Sequence, residues 1–174
     1  MPLLRYHPHK INLSAMNYHI PRLLFSSIAQ TNKEQYQDLF QEYDVFEAST
    51  HHIYIAIYPF WLEEYSFPRR NIFSWGYHVR IENHNVTPIS ITRQHWDIIK
   101  TNSRITTIDT KIIENDDAKL NAGEACDYTS CITLDTPSNI VKGYYTISDH
   151  TGNIMNIDIP SFNLDNPHDL FSIN

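Results

Sequence analysis

An antiparallel β-sandwich is the fold class that this 174-residue sequence predicts. Three observations predict it: from residue 50 onward the apolar pattern repeats every two residues, turn-forming residues break it at short intervals, and no helical pattern lies between the resulting strands. Isoleucine outnumbers leucine 23 to 11, an excess that suits strands but also fits an AT-rich coding sequence, as the 15 asparagines do.

Seven strands are expected. In the first, Ile53, Ile55 and Ile57 alternate with Tyr54, Ala56 and Tyr58, and Pro59 ends the run. The second places Phe73, Trp75, Tyr77, Val79 and Ile81 on one face against Ser74, Gly76, His78, Arg80 and Glu82. Further strands are expected over 89–100, 105–113, 124–134, 143–148 and 154–159, separated by turn residues at 83–88, 102–103, 121–123, 136–139 and 149–153. Trp75, Tyr77, Trp96 and Tyr128 are the expected structural core, together with Phe73, each ring burying roughly 150–250 Å².

The segment before residue 50 reads differently. Residues 1–33 hold Arg5, Lys10, Arg22 and Lys33 and no acid, while the rest of the chain holds the other nine basic residues and all 20 acidic ones. A +4 head therefore precedes a -11 body. Residues 1–31 read as a basic, disordered tail, with an organellar presequence or an internal start at Met16 as alternatives; Pro2, Pro8 and Pro21 interrupt a long amphipathic helix. Thr31 and Glu34 have capping-box spacing ahead of Tyr36, Leu39, Phe40 and Tyr43, which predicts a short amphipathic helix over 32–44, followed by a linker to residue 49 or 50. The domain is expected over 50–165 and a C-terminal tail over 166–174.

Composition excludes several classes of function. No apolar run approaches the roughly 18 residues of a membrane-spanning helix, and a net charge of -7 opposes binding to nucleic-acid phosphates or anionic membranes. Four glycines, at 76, 123, 143 and 152, cannot build a contiguous glycine-rich phosphate loop, and the common nucleotide, zinc and hydrolase motifs are absent. No metal site or cofactor is expected. His7 and His9 lie in the head, and His51 and His52, if they sit in a strand, point to opposite faces. Cys126 and Cys131 stand about 16 Å apart in an extended strand, so reduced, buried thiols are expected. Arg93 and His95, in Arg93-Gln94-His95-Trp96, could hold an anion by charge-assisted hydrogen bonds; the alternative is a structural histidine beside a core tryptophan.

An ordered set of short motifs carries a family resemblance. Ile53-Tyr-Ile-Ala-Ile-Tyr-Pro59, Trp75-Gly-Tyr-His-Val-Arg-Ile-Glu-Asn83, Arg93-Gln-His-Trp96, Leu120 to Glu124, Tyr128-Thr-Ser130, Leu134-Asp-Thr-Pro137, Gly143-Tyr-Tyr145 and Ile159-Pro-Ser-Phe162 resemble, in order and spacing, the ApaG family, or DUF525 domain, over about residues 50–165. The resemblance implies a fibronectin type III-like sandwich, an association with magnesium and cobalt tolerance, and interaction modules in some relatives. The family's Gly-x-Gly-x-x-Gly loop, proposed to bind pyrophosphate or nucleotides, aligns here with Asp109, Lys111 and Glu114, so no glycine of that loop is retained and two carboxylates stand in its place.

The expected function is therefore a non-catalytic, cytoplasmic protein-interaction module with an unidentified protein partner, Arg93, His95 and Asp135 being its candidate binding residues. The alternative is a domain that binds a small anion or nucleotide, such as pyrophosphate or diadenosine tetraphosphate.

Overall fold

The computed structural model describes residues 26–27, 44–112 and 118–169. Within them lie β1 (Ser26–Ser27), β2 (Phe46–Thr50), β3 (Ile53–Trp61), β4 (Phe73–Asn83), β5 (Ile89–Lys100), β6 (Ile105–Lys111), β7 (Lys119–Leu120), β8 (Ala125–Leu134), β9 (Ser138–Asp149), β10 (Ile154–Asp158) and β11 (Phe162–Asp165). All pairings are antiparallel. The first sheet has the order β1-β8-β4-β3-β2; the second has the order β10-β9-β5-β6, with β7 beside the start of β5 and β11 beside the start of β9.

The seven expected strands are all present, and four more accompany them. Segment 44–50, read as a linker, carries β2, because Phe46 to Thr50 pair with Ile57 to Ile53 across a two-residue turn. His51 and His52 form that turn, both with positive φ (52° and 59°), so they are not strand residues as the metal argument assumed. Pro59 does not end β3, which runs on to Trp61. It lies beyond the last residue that β2 pairs, where the strand has one neighbour and a missing N–H is tolerated. Two residues of the expected C-terminal tail also meet the domain: Asn166 donates its backbone N–H to the Pro137 carbonyl, and His168 meets Glu63 at 2.9 Å and the ring of Trp61. The helix expected over 32–44 and the tail expected over 1–31 lie outside the described residues, apart from Ser26, Ser27 and Asp44.

The core fills the space between the sheets. Ile53, Ile55 and Ile57 are fully buried, and the expected Trp75, Tyr77, Trp96 and Tyr128 are all buried with them. Tyr77 and Trp96 meet across the sandwich with ring centroids 5.0 Å apart, and Phe162 of β11 closes the far side of Trp96 at 5.7 Å. Buried hydroxyls need partners: the Tyr128 hydroxyl reaches Gln94 Oε1 at 3.3 Å and is hydrogen-bonded to the Tyr145 hydroxyl.

One irregularity decides which side chains of β5 enter this core. Ile91 pairs with Ile147, but Arg93 pairs with Thr146, so Thr92 is an extra residue in a bulge. The bulge reverses the alternation: Ile89 and Ile91 point inward before it, and Gln94, Trp96 and Ile98 are the buried residues after it. Thr92 is itself bonded, its Oγ1 donating to the Thr146 carbonyl (3.1 Å) and its carbonyl accepting from Ile112 (2.9 Å).

Opposite this stretch, Gly143 pairs with Trp96, and a Cβ at residue 143 would lie 2.0 Å from the His95 carbonyl oxygen. Backbone, not a flexible side chain, fills the space. Gly143→Ala should therefore destabilise the domain by about 1–3 kcal/mol or more, read as a lower denaturation midpoint; an unchanged midpoint would contradict this packing.

Candidate functional site

Because the bulge turns them outward, Arg93, His95 and Asp97 stand on the open face of the second sheet. Register then assembles neighbours around them: Lys111 opposite Arg93, Asp109 opposite His95 and Thr107 opposite Asp97 on β6, with Tyr144 opposite His95 on β9. The Arg93 guanidinium grips Asp109 with two hydrogen bonds, Nε to Oδ1 at 2.5 Å and Nη2 to Oδ2 at 2.8 Å. His95 Nδ1 lies 3.3 Å from Asp109 Oδ2, its Nε2 lies 3.7 Å from Asp97, and its ring stacks on Tyr144 at 4.8 Å. The Asp109 carboxyl is held below the usual carboxylate range, chiefly by the Arg93 hydrogen bond, which outweighs an opposing effect of desolvation and is reinforced by the hydrogen bond to His95.

Two of the three expected binding residues are thus together, and the third is elsewhere. Asp135 follows β8 and accepts from Lys100 at 2.7 Å. Of the positions aligned with the family's glycines, Asp109 and Lys111 lie beside Arg93, and Glu114 lies outside the described residues. His95 is neighbour to Trp96 in sequence but projects from the opposite side of the strand. The chemical consequence is direct: the fork of Arg93 that would bind an external anion already holds an internal carboxylate.

A second polar ladder lies on the face of the first sheet turned away from the core. His78 Nδ1 is 2.8 Å from Thr129 Oγ1, and its Nε2 is 3.3 Å from Asp127 Oδ1. Arg80 donates to Asp127 Oδ2 (2.9 Å) and to Glu82 Oε1 (2.6 Å), and Glu82 Oε2 meets His84 Nε2 at 2.7 Å. His78, Arg80 and Asp127 are buried, at 6%, 6% and 3% exposure. The strand pattern marked the outward face of β4, but not that Asp127 and Thr129 of β8 lie across from Arg80 and His78, since that pairing depends on register. Among the described residues no group of three or more His, Cys, Asp or Glu side chains is arranged to hold a metal ion. Cys126 and Cys131 are free thiols on opposite faces of β8, and burial pushes both upward in pKa.

These features define an all-β sandwich that carries its charged side chains in self-paired ladders across both outer sheet faces. The chain belongs to the ApaG family: the model of the ApaG domain, DUF525, matches residues 63–149. It is 34% identical to Protein ApaG of Paramagnetospirillum magneticum over 125 residues, 72% of this chain and 96% of that protein. Identity to Protein ApaG of Rhizobium leguminosarum bv. trifolii is 30% over 123 residues, 71% of this chain and 95% of that protein. The fold is shared with a crystal structure described as an ApaA protein from Bordetella pertussis, at a TM-score of 0.62 and 24% identity, over 69% of this chain and 98% of that one.

Glu82 gives the buried ladder a pH dependence. Burial acts to raise its pKa, but the hydrogen bonds from Arg80 and His84 outweigh burial, so its folded pKa lies below the ordinary value. A depressed carboxylate contributes stability above its unfolded pKa, about 4.3, and loses that contribution as pH falls through the lower folded value. Glu82→Gln should therefore lower the melting temperature most near neutral pH, with the gap from wild type closing below about pH 4. A gap that stays constant down to acid pH would contradict the ion-pair origin.

Proposed function

We propose that this domain is a non-catalytic, cytoplasmic protein-interaction module. One observation carries the reading: the candidate polar residues are engaged with one another, Arg93 with Asp109 and Asp135 with Lys100, while an apolar row crosses the open face of the second sheet beside them. Ile99 pairs with Ile105 on one side and Ile140 on the other, and Ile105 and Ile140 are 61% and 48% exposed. Single exposed aliphatics are ordinary; three side by side across three strands, rimmed by Lys142, Asp97 and Thr107, form the kind of patch that a partner buries. On this reading the magnesium and cobalt tolerance associated with the family runs through a partner protein.

Affinity capture from native lysate, comparing the full chain with an Ile140→Asp variant, tests the proposal. The expected result is a specific protein retained by the wild type and reduced about tenfold or more by the variant. Failure to retain any specific protein across mild salt conditions would contradict it. So would heat on calorimetric titration with pyrophosphate or diadenosine tetraphosphate, with or without magnesium, which would point to an anion-binding domain instead.

A further inference from the structure

Strands at sheet margins expose unpaired backbone groups, and proteins ordinarily shorten, bend, charge or cover them. Here β1 and β7 have two residues each, β11 has four, and β2 and β10 have five. Among the described residues β6 also forms a margin, and it is different. It is seven residues long, Ile-Thr-Thr-Ile-Asp-Thr-Lys, with no proline or glycine, and it pairs with β5 in unbroken register from Ile105 to Lys111. Every residue of β6 is exposed or half-exposed. Its one acid, Asp109, is already neutralised by Arg93, which leaves the charge of Lys111, at the last residue of the strand, as the one guard of this edge.

We propose that β6 is the edge at which the domain receives an extended segment of a partner protein, which adds to the second sheet as a further strand. This rests on the interaction-module reading above and names where and how the partner binds. The backbone is already presented: Ile112 donates its N–H toward β5, to the Thr92 carbonyl, so by strand alternation Thr106, Ile108 and Thr110 point their N–H groups inward and Ile105, Thr107, Asp109 and Lys111 point theirs outward. The side chains define the partner's chemistry. At one end of the edge the Ile105, Ile99 and Ile140 row favours an aliphatic residue; half-buried Ile108, which packs on the core, favours another on the inner face. Lys111, at the other end, has no ion-pair partner among the described residues and favours an acid. The occupant is thus a β-branched or aliphatic extended peptide with an acidic residue toward the Lys111 end.

A second copy of the chain fits the edge poorly. A two-fold axis at Thr107 or Ile108 sets Asp109 or Lys111 against Ile105, and an axis at Thr110, where Asp109 meets Lys111, pairs only three residues of β6.

The test selects randomised octapeptides against the full 174-residue chain and follows amide exchange of β6 with the selected peptides bound. Selected peptides should carry aliphatic residues at alternate positions and an acid at one end, and should slow exchange at Thr107 and Asp109 about tenfold or more. Thr107→Pro removes an outward N–H and spares the β5–β6 backbone ladder, losing only the side-chain bond from Thr107 Oγ1 to Asp97 Oδ1 (2.7 Å), and it should weaken binding about tenfold or more. Ile105→Lys, at an exposed side chain, should do the same and serves if the proline variant does not fold. Peptides that bind with β6 exchange unchanged, or equally to both variants, would overturn strand addition while leaving the interaction-module reading standing. Selection of no peptide would overturn strand addition, and only failure of the lysate capture as well would remove the module. Protection of β6 that rises with protein concentration in the absence of peptide would replace the partner segment with a second copy.

Discussion

The single extra residue in β5 is the constraint on which the rest of the structure depends. Thr92 breaks the two-residue period between Ile91 and Arg93, and everything after it changes sides. Without that shift, Trp96 would leave the core, where it meets Tyr77, Tyr145 and Phe162, and Arg93, His95 and Asp97 would have to enter it. Burying that set would require desolvating a guanidinium and a carboxylate, a cost of several kcal/mol for each ion even after relaxation. The same bulge accepts the Ile112 N–H one residue past the end of β6, and Ile112 is buried there. Core and charged ladder therefore follow from one local irregularity.

The two outer faces use similar residues under different conditions. On the first sheet, His78, Arg80 and Asp127 are buried, so the Arg80 and Asp127 charges balance each other at hydrogen-bond distance, with His78 beside them, and loss of either ion is costly. On the second sheet, Arg93 and Asp109 remain in contact with solvent, where an ion pair contributes little to stability. That difference makes the first ladder a contributor to the stability of the fold and leaves the second contributing little to it.

Much of the fold was legible in the sequence because β3 and β4 alternate cleanly and their aromatic residues have one face to fill. Trp75 and Tyr77 were identifiable as core from size and spacing, and Trp96 and Tyr128 from size, since a count by two from Ile91 would place Trp96 on the other face. What escaped was local chemistry that breaks a period or lacks one. Phe46-Glu-Ala-Ser-Thr50 has too little apolar contrast to read as a strand, yet it pairs because the His51-His52 turn folds it back onto β3. Ser138 and Asn139 read as turn residues but open β9, where Asn139 is buried and bonded to Thr136. Of the candidate site, Arg93 and His95 could be found as residue types, but their grip on Asp109 depends on the β5–β6 register, and the direction they face depends on a bulge that no turn residue announces. Asp135 shared their polarity and not their location, since Lys100 fixes it at the β8–β9 turn.

Deleting Thr92 tests the role of this bulge most directly. If the extra residue sets which side of β5 faces the core, the shortened chain must either bury Arg93 and His95 or lose the pairing with β9 and β6. The account predicts loss of the cooperative thermal transition, or a fall in melting temperature of about 10 °C or more, together with solvent exposure of Trp96. A deletion variant that melts like the wild type with Trp96 still buried would contradict it.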